Sequence, residues 1–99
     1  MSTKLDPGKF DWYAAALPDE PYFIVLARDD SAPRIVRDWA DRRELEISQG
    51  ERPASDMDKV NEARDTANLM ELWRATNYGR WLERPVSENE VQQGEGFTP

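Results

Sequence analysis

The chain has 99 residues, 38% of them hydrophobic, with a formal charge of -7, no cysteine and no histidine. That length supports one small domain with one core. The mean hydropathy of -0.86 obliges it to use nearly every large side chain it has. Without Cys or His, a disulfide framework, a thiolate nucleophile, the commonest general base and most transition-metal ligands are all excluded.

The charge is uneven. The acidic excess lies mostly in residues 1–20 and 83–99, whereas acids and bases nearly balance over 21–82. Net negative charge disfavours binding to nucleic acid through phosphates, so no direct DNA binding is expected. Ten of the thirteen basic residues are Arg, the side chain suited to planar, bidentate contacts with carboxylate or phosphate. No run approaches the length of a membrane span, and the first residues lack a signal-peptide apolar region; the expectation is a cytoplasmic protein.

In chain order, "DPG" at 6–8 marks a turn. "FDWYAAAL" (10–17) can form a short helix capped by Asp11 and stopped before Pro18, with its aromatics clamped onto the body. "PDEP" (18–21) is punctuation. "YFIVLAR" (22–28) is too short for periodicity to decide helix against strand. Phe23, Ile24 and Val25 have strand propensity, but no second strand-like run lies nearby. A short buried helix is therefore expected, with a strand pairing between subunits as the alternative. Asp29, Asp30 and Ser31 open the next helix, with Pro33 in its first turn.

From Ala32 the period is helical: Ala32, Ile35, Val36, Trp39 and Ala40 form one stripe. Arg34–Asp38, Arg37–Asp41 and Asp38–Arg42 are spaced for i,i+4 pairs on the outer side. Leu45 falls on the polar face, and Gly50 and Pro53 close the segment. "PASDMDKV" opens another helix, capped by Ser55 or Asp56, with the stripe Met57, Val60, Ala63, Ala67 and Met70. Ala63 and Ala67 permit close helix approach. Past Leu69 the apolar surface widens to include Leu72 and Trp73, which predicts cover from more than one side. Asn77 or Gly79 is the expected stop. "YGRWL" turns back, and 83–99 reads as an acidic, polar tail.

These elements predict a mainly α fold: an antiparallel hairpin of about 32–49 against 55–77 within a single domain at 1–82. A short N-terminal helical element covers it, and a second subunit completes the core if that element does not.

The stretch "FIVLARDDSAPRIVRDWADRRELEISQGERPASDMDKVNEARDTANLMELW" resembles a group of small, uncharacterised proteins of tailed phages and prophages that share an apolar run, then "ARD", "AP", "WA" and a later "ASDM…V.EAR". The resemblance covers about half of the chain. It implies an accessory protein made in the cytoplasm of a bacterial host, and it carries no catalytic residue.

Little in the sequence points to catalysis. None of the five serines has a base at motif spacing. The pairs Asp29–Asp30 and Asp56–Asp58 are oxygen ligands of the kind Mg²⁺ takes, yet acids at helix starts are already accounted for by the helix dipole. "GEG" at 94–96 lacks the strand and helix that a phosphate loop requires. The remaining candidates are Arg28, Arg34, Arg37, Arg42, Arg43, Arg80 and Trp81. Guanidinium and indole groups of this kind hold a phosphorylated, stacking ligand or a partner protein. Arg43 stands out, since it falls near the apolar stripe of Val36, Trp39, Ala40 and Ile47 and must there pair with a buried acid, snorkel or meet a ligand. Core duty is assigned to Trp39 and Trp73.

The leading functional expectation is a non-enzymatic accessory protein, acting as a homodimer, that binds a host or anti-phage defence protein and needs no cofactor or metal. The alternatives are a sponge for a nucleotide signal, using Arg and Trp at a subunit interface, and a minor virion assembly protein.

Overall fold

The computed structural model describes residues 3–83. Apart from Glu83, the acidic tail expected over 83–99, including "GEG", lies outside the described residues. Two long helices dominate, α2 (Ala32–Ser48) and α3 (Met57–Thr76), preceded by the single turn α1 (Trp12–Ala15). Short 3₁₀ turns at Ala54–Asp56 and Arg80–Glu83 bracket α3. Among the described residues there is no strand.

α2 and α3 form the expected antiparallel hairpin. Contacts at its edges fix the direction: Arg37 near the start of α2 meets Glu71 near the end of α3, while Arg43 further along α2 meets Asp56 at the entry to α3. The seam is built from small residues. Ala32, Ala40, Ala63 and Ala67 are fully buried, and Val60 is the largest side chain completely removed from solvent. Val36, Trp39, Ile47 and Met57 pack around the edges of the Ala40–Val60–Ala63 cluster. Alanines at one-turn spacing let the backbones approach closely, but each contributes little apolar area. Ile35 lies at the margin of its stripe and is about half exposed; Leu45 points outward as its position dictates.

The bend between the helices follows from sequence. Gly50 adopts φ +78° and closes a Schellman motif, with Gly50 N donating to Ile47 O (3.0 Å) and Glu51 N to Glu46 O (2.8 Å). The entry to α3 differs from expectation. Neither Ser55 nor Asp56 caps it through a side chain, because the 3₁₀ turn runs continuously into the helix and the Asp56 carboxylate turns to Arg43 and Lys59.

Asp11 caps α1 as predicted, its Oδ1 accepting from Ala14 N at 3.0 Å. The segment ahead of α1 is clamped to α3: the Glu62 carboxylate accepts from the backbone N–H groups of Lys9 (2.9 Å) and Phe10 (3.3 Å). Phe10 and Trp12 stack with centroids 5.9 Å apart, and the Lys59 ammonium lies over both rings.

The helix expected at 22–28 is absent. Residues 21–26 have neither helical nor strand pairing, and Phe23 is 88% exposed, so 23–27 is not core. Pro21 on one side and the turn from Leu26 O to Asp29 N (2.9 Å) on the other leave too few residues for a helix nucleus. The β-branched and aromatic side chains between them favour extended backbone.

Candidate binding face

An exposed apolar surface lies where α3 widens. Leu69 and Leu72 are 55% and 60% exposed, and with Met70 and Trp73 they form the floor of an open groove of about 470 Å³. Val25, Leu26, Ala27 and Arg28 form the opposite wall. Val25 and Leu26, in a stretch without regular secondary structure, and the turn residues Ala27 and Arg28 thus lie across the groove from α3 without filling it. A helix bearing an apolar surface this wide is normally covered on that side as well.

One end of the groove carries an aromatic cluster. Gly79, at φ +85°, reverses the chain after α3 so that Trp81 stacks on Trp73 (5.7 Å) while Tyr78 meets Trp81 edge-on (5.7 Å). Arg74 ties this cluster to the far wall: its guanidinium lies 6.0 Å from the Trp81 ring centroid, and its Nε donates to Arg28 O at 3.3 Å. Trp73 is therefore half-buried groove lining and not the core residue its spacing suggested, whereas Trp39 does pack on the core cluster.

The seven sequence candidates are dispersed. Arg28 lines the groove, and Trp81 joins it through Trp73 and Arg74. Arg80 is exposed and donates to Asn77 Oδ1 at 3.1 Å. Arg37 spans the helices, its two terminal nitrogens held 2.9 and 2.7 Å from the Glu71 carboxylate, with a further bond of 2.7 Å to Asn68. Arg43 is half-buried over the Trp39 ring (5.0 Å) and bonds Asp56 at 3.0 Å, with Glu46 at 3.3 Å. It takes the buried-acid alternative. Arg34 and Arg42 are exposed and make no ion pair with a described residue.

The three i,i+4 pairs expected along α2 do not form among the described residues. α3 offers better partners: Arg37 goes to Glu71, and Asp41, together with Glu44, goes to Arg64 at 2.8 and 2.7 Å. A bidentate or doubly accepted guanidinium outweighs a single intrahelical contact. These bonds shift the groups involved. Hydrogen bonding to Arg37 lowers the Glu71 pKa, the same bond raises that of Arg37, and Asp41 followed by Glu44 raises that of Arg64.

The acidic pairs are drawn into the same framework. Asp56 holds Arg43 and Lys59, Asp58 holds Lys9 at 3.0 Å, and Asp29 accepts from Ser31 N at 2.8 Å. No helix among the described residues is long and apolar enough to cross a membrane. Leu69 and Leu72 are not singled out as site residues by sequence; the widening of the stripe at 69–73 is the signal that marks them. Compared with family models, curated proteins and solved structures, the chain matches none.

Proposed function

We propose that this protein works by binding another protein through the groove and outer face of α3, and not by catalysis. One observation carries the reading: the apolar side chains are distributed inside out. Val60 is the largest completely buried side chain, while Leu26, Leu69, Leu72, Tyr78 and Leu82 are all substantially exposed, the first three of them around one groove. Solvent-facing apolar surface on this scale marks an interface. Leu69, Leu72 and Trp73 are suited to act as anchors, with Arg28 and Thr76 as polar rim. The partner class is a host or anti-phage defence protein met in a bacterial cytoplasm, a setting that rests on the sequence resemblance to phage accessory proteins.

The test uses full-length protein and the double variant Leu69→Asp/Leu72→Asp. Both are presented to host lysate, the retained protein is identified by mass spectrometry, and its affinity is remeasured in purified form. Loss of two central anchors, about 2 kcal/mol, weakens binding by about thirtyfold. Equal affinity for wild type and variant refutes the assignment of this face.

The nucleotide-sponge reading has one observation in its favour, the Arg74–Trp81 contact beside the groove. Against it, Arg37 and Arg43 direct their guanidinium groups to carboxylates of their own chain. A thermal-shift panel of cyclic and linear nucleotides separates the two readings, because a ligand that binds only the folded state must raise the melting point.

A further inference from the structure

At the edge of the groove stands a guanidinium without a counter-charge. Arg37, Arg43, Lys59 and Arg64 are half-buried, and each reaches at least one carboxylate. Arg74 is also half-buried, yet it makes no ion pair with a described residue. It uses only Nε, on the backbone oxygen of Arg28 (3.3 Å), and its terminal nitrogens donate to no described residue. Helix spacing explains this. The residues three and four positions away are Met70, Glu71, Asn77 and Tyr78. Glu71, the one acid among them, is held by both terminal nitrogens of Arg37. Asp30 lines a shallow cleft with Arg74 but does not pair with it. A half-buried charge left in this way is costly, and a partner bringing the opposite charge offsets that cost.

We infer that the segment docking in the groove is an acidic amphipathic helix of the partner protein, with its apolar stripe against α3 and one Asp or Glu side chain held by the terminal nitrogens of Arg74. The inference rests on the binding function proposed above and specifies the chemistry of the partner. Arg74 is placed for this contact at the groove's end. It lies beside Trp81, which stacks on Trp73, and it bonds Arg28; Trp73 and Arg28 are both groove lining. A guanidinium tethered through Nε beside an indole is positioned in advance, so little freedom is lost when a carboxylate takes its remaining fork. The neighbouring acids do not oppose this. Arg37 already offsets the charge of Glu71, and Asp30 is exposed, so water and salt screen it.

The lining favours a helix over a strand. α3 contributes Thr66, Leu69, Met70, Leu72, Trp73 and Thr76, positions three and four apart along about 15 Å of helix axis. Rows at that spacing are the ridges against which a second helix packs. Apolar residues at i, i+3 or i+4, and i+7 of the incoming helix span about 10 Å and fit within that length. A strand has less to pair with. The opposite wall offers Val25 and Leu26 before the chain turns through Ala27 and Arg28, with Leu26 O accepting from Asp29 N at 2.9 Å. Two residues are too few for a ladder, whereas a helix satisfies its own backbone.

The test is a selection of random peptides of roughly 15 residues, about four helical turns, against the full-length protein. The peptides are displayed through their C-termini, so that every acid recovered is a side chain. Enriched sequences are expected to carry apolar residues at helical spacing and an Asp or Glu at one fixed position relative to them. Leu69→Asp/Leu72→Asp is expected to abolish their binding. A double-mutant cycle then reads the contact itself. Arg74→Gln, or replacement of the peptide's acid by its amide, is expected to weaken binding at least about tenfold, and the two together little more than either alone. A purely structural role for Arg74 would not depend on the peptide's acid. Far-UV circular dichroism checks that each variant keeps the hairpin. Enriched peptides without a positioned acid, an acid preference unchanged by Arg74→Gln, an apolar pattern of period two, or no enrichment at all overturn the inference and leave the α3 face standing as a binding surface. Peptides that bind Leu69→Asp/Leu72→Asp as tightly as wild type overturn both.

Discussion

Val60→Ala perturbs the seam where the hairpin has least to lose. Val60 is fully buried among Ala40, Ala63 and their flanking side chains. Removing two methyl-sized groups forfeits about 0.8 kcal/mol each in transfer free energy. The space left, on the order of 50 Å³, adds up to about 1 kcal/mol at 24 cal/mol per Å³ if the alanine-lined seam does not relax. The sum is about 2–3 kcal/mol, a large part of the stability of a domain this small, and corresponds to about 10–20 °C in melting temperature. Leu72→Ala removes more atoms from a side chain already 60% exposed and should cost less than about 1 kcal/mol in the isolated protein. Urea unfolding followed by the helical signal at 222 nm measures both, with an unchanged slope as the check on two-state behaviour. A larger loss for Leu72→Ala than for Val60→Ala refutes the inside-out distribution of apolar side chains.

Three further outcomes follow from the same geometry. Asp56→Ala leaves the half-buried Arg43 guanidinium without its main acceptor (side chains 19% and 11% exposed) and should cost about 2–3 kcal/mol in chemical denaturation. Gly50→Ala keeps clear space around the new Cβ but must hold φ near +78°, so about 1 kcal/mol is lost to backbone strain alone. Hydrogen bonding to Arg37 holds the Glu71 carboxyl below its ordinary 4.5, so the stability it confers is complete above that value and disappears as pH falls through the lowered one. Glu71→Gln should therefore flatten the acid limb of the stability–pH curve, with wild type and variant converging at low pH.

The hairpin was legible because its signals agree. The 3.6-residue stripe, the small Ala63–Ala67 contact and the glycine at position 50 each specify the same pair of helices. Arg43 was legible for the opposite reason, as a charge on an apolar stripe that required a partner. The outer ion pairs were not legible, because intrahelical spacing says nothing about what a neighbouring helix presents; Arg37 prefers Glu71 only once α3 lies alongside. The 22–28 segment is not legible because apolar composition alone does not distinguish a buried turn of helix from an exposed segment without regular secondary structure. Bracketing by Pro21 and the Leu26–Asp29 turn decided it. Trp73 was assigned to the core because periodicity reports which residues share a face and is silent on whether anything covers it.

The most direct test of the binding account is photo-crosslinking in the cells that make the protein, with a benzophenone amino acid placed at Leu72 in the groove and, as control, at the exposed Arg42. The account predicts one discrete adduct with a different protein from position 72 and none from position 42. Indistinguishable patterns from the two positions, or no adduct from position 72, would contradict it.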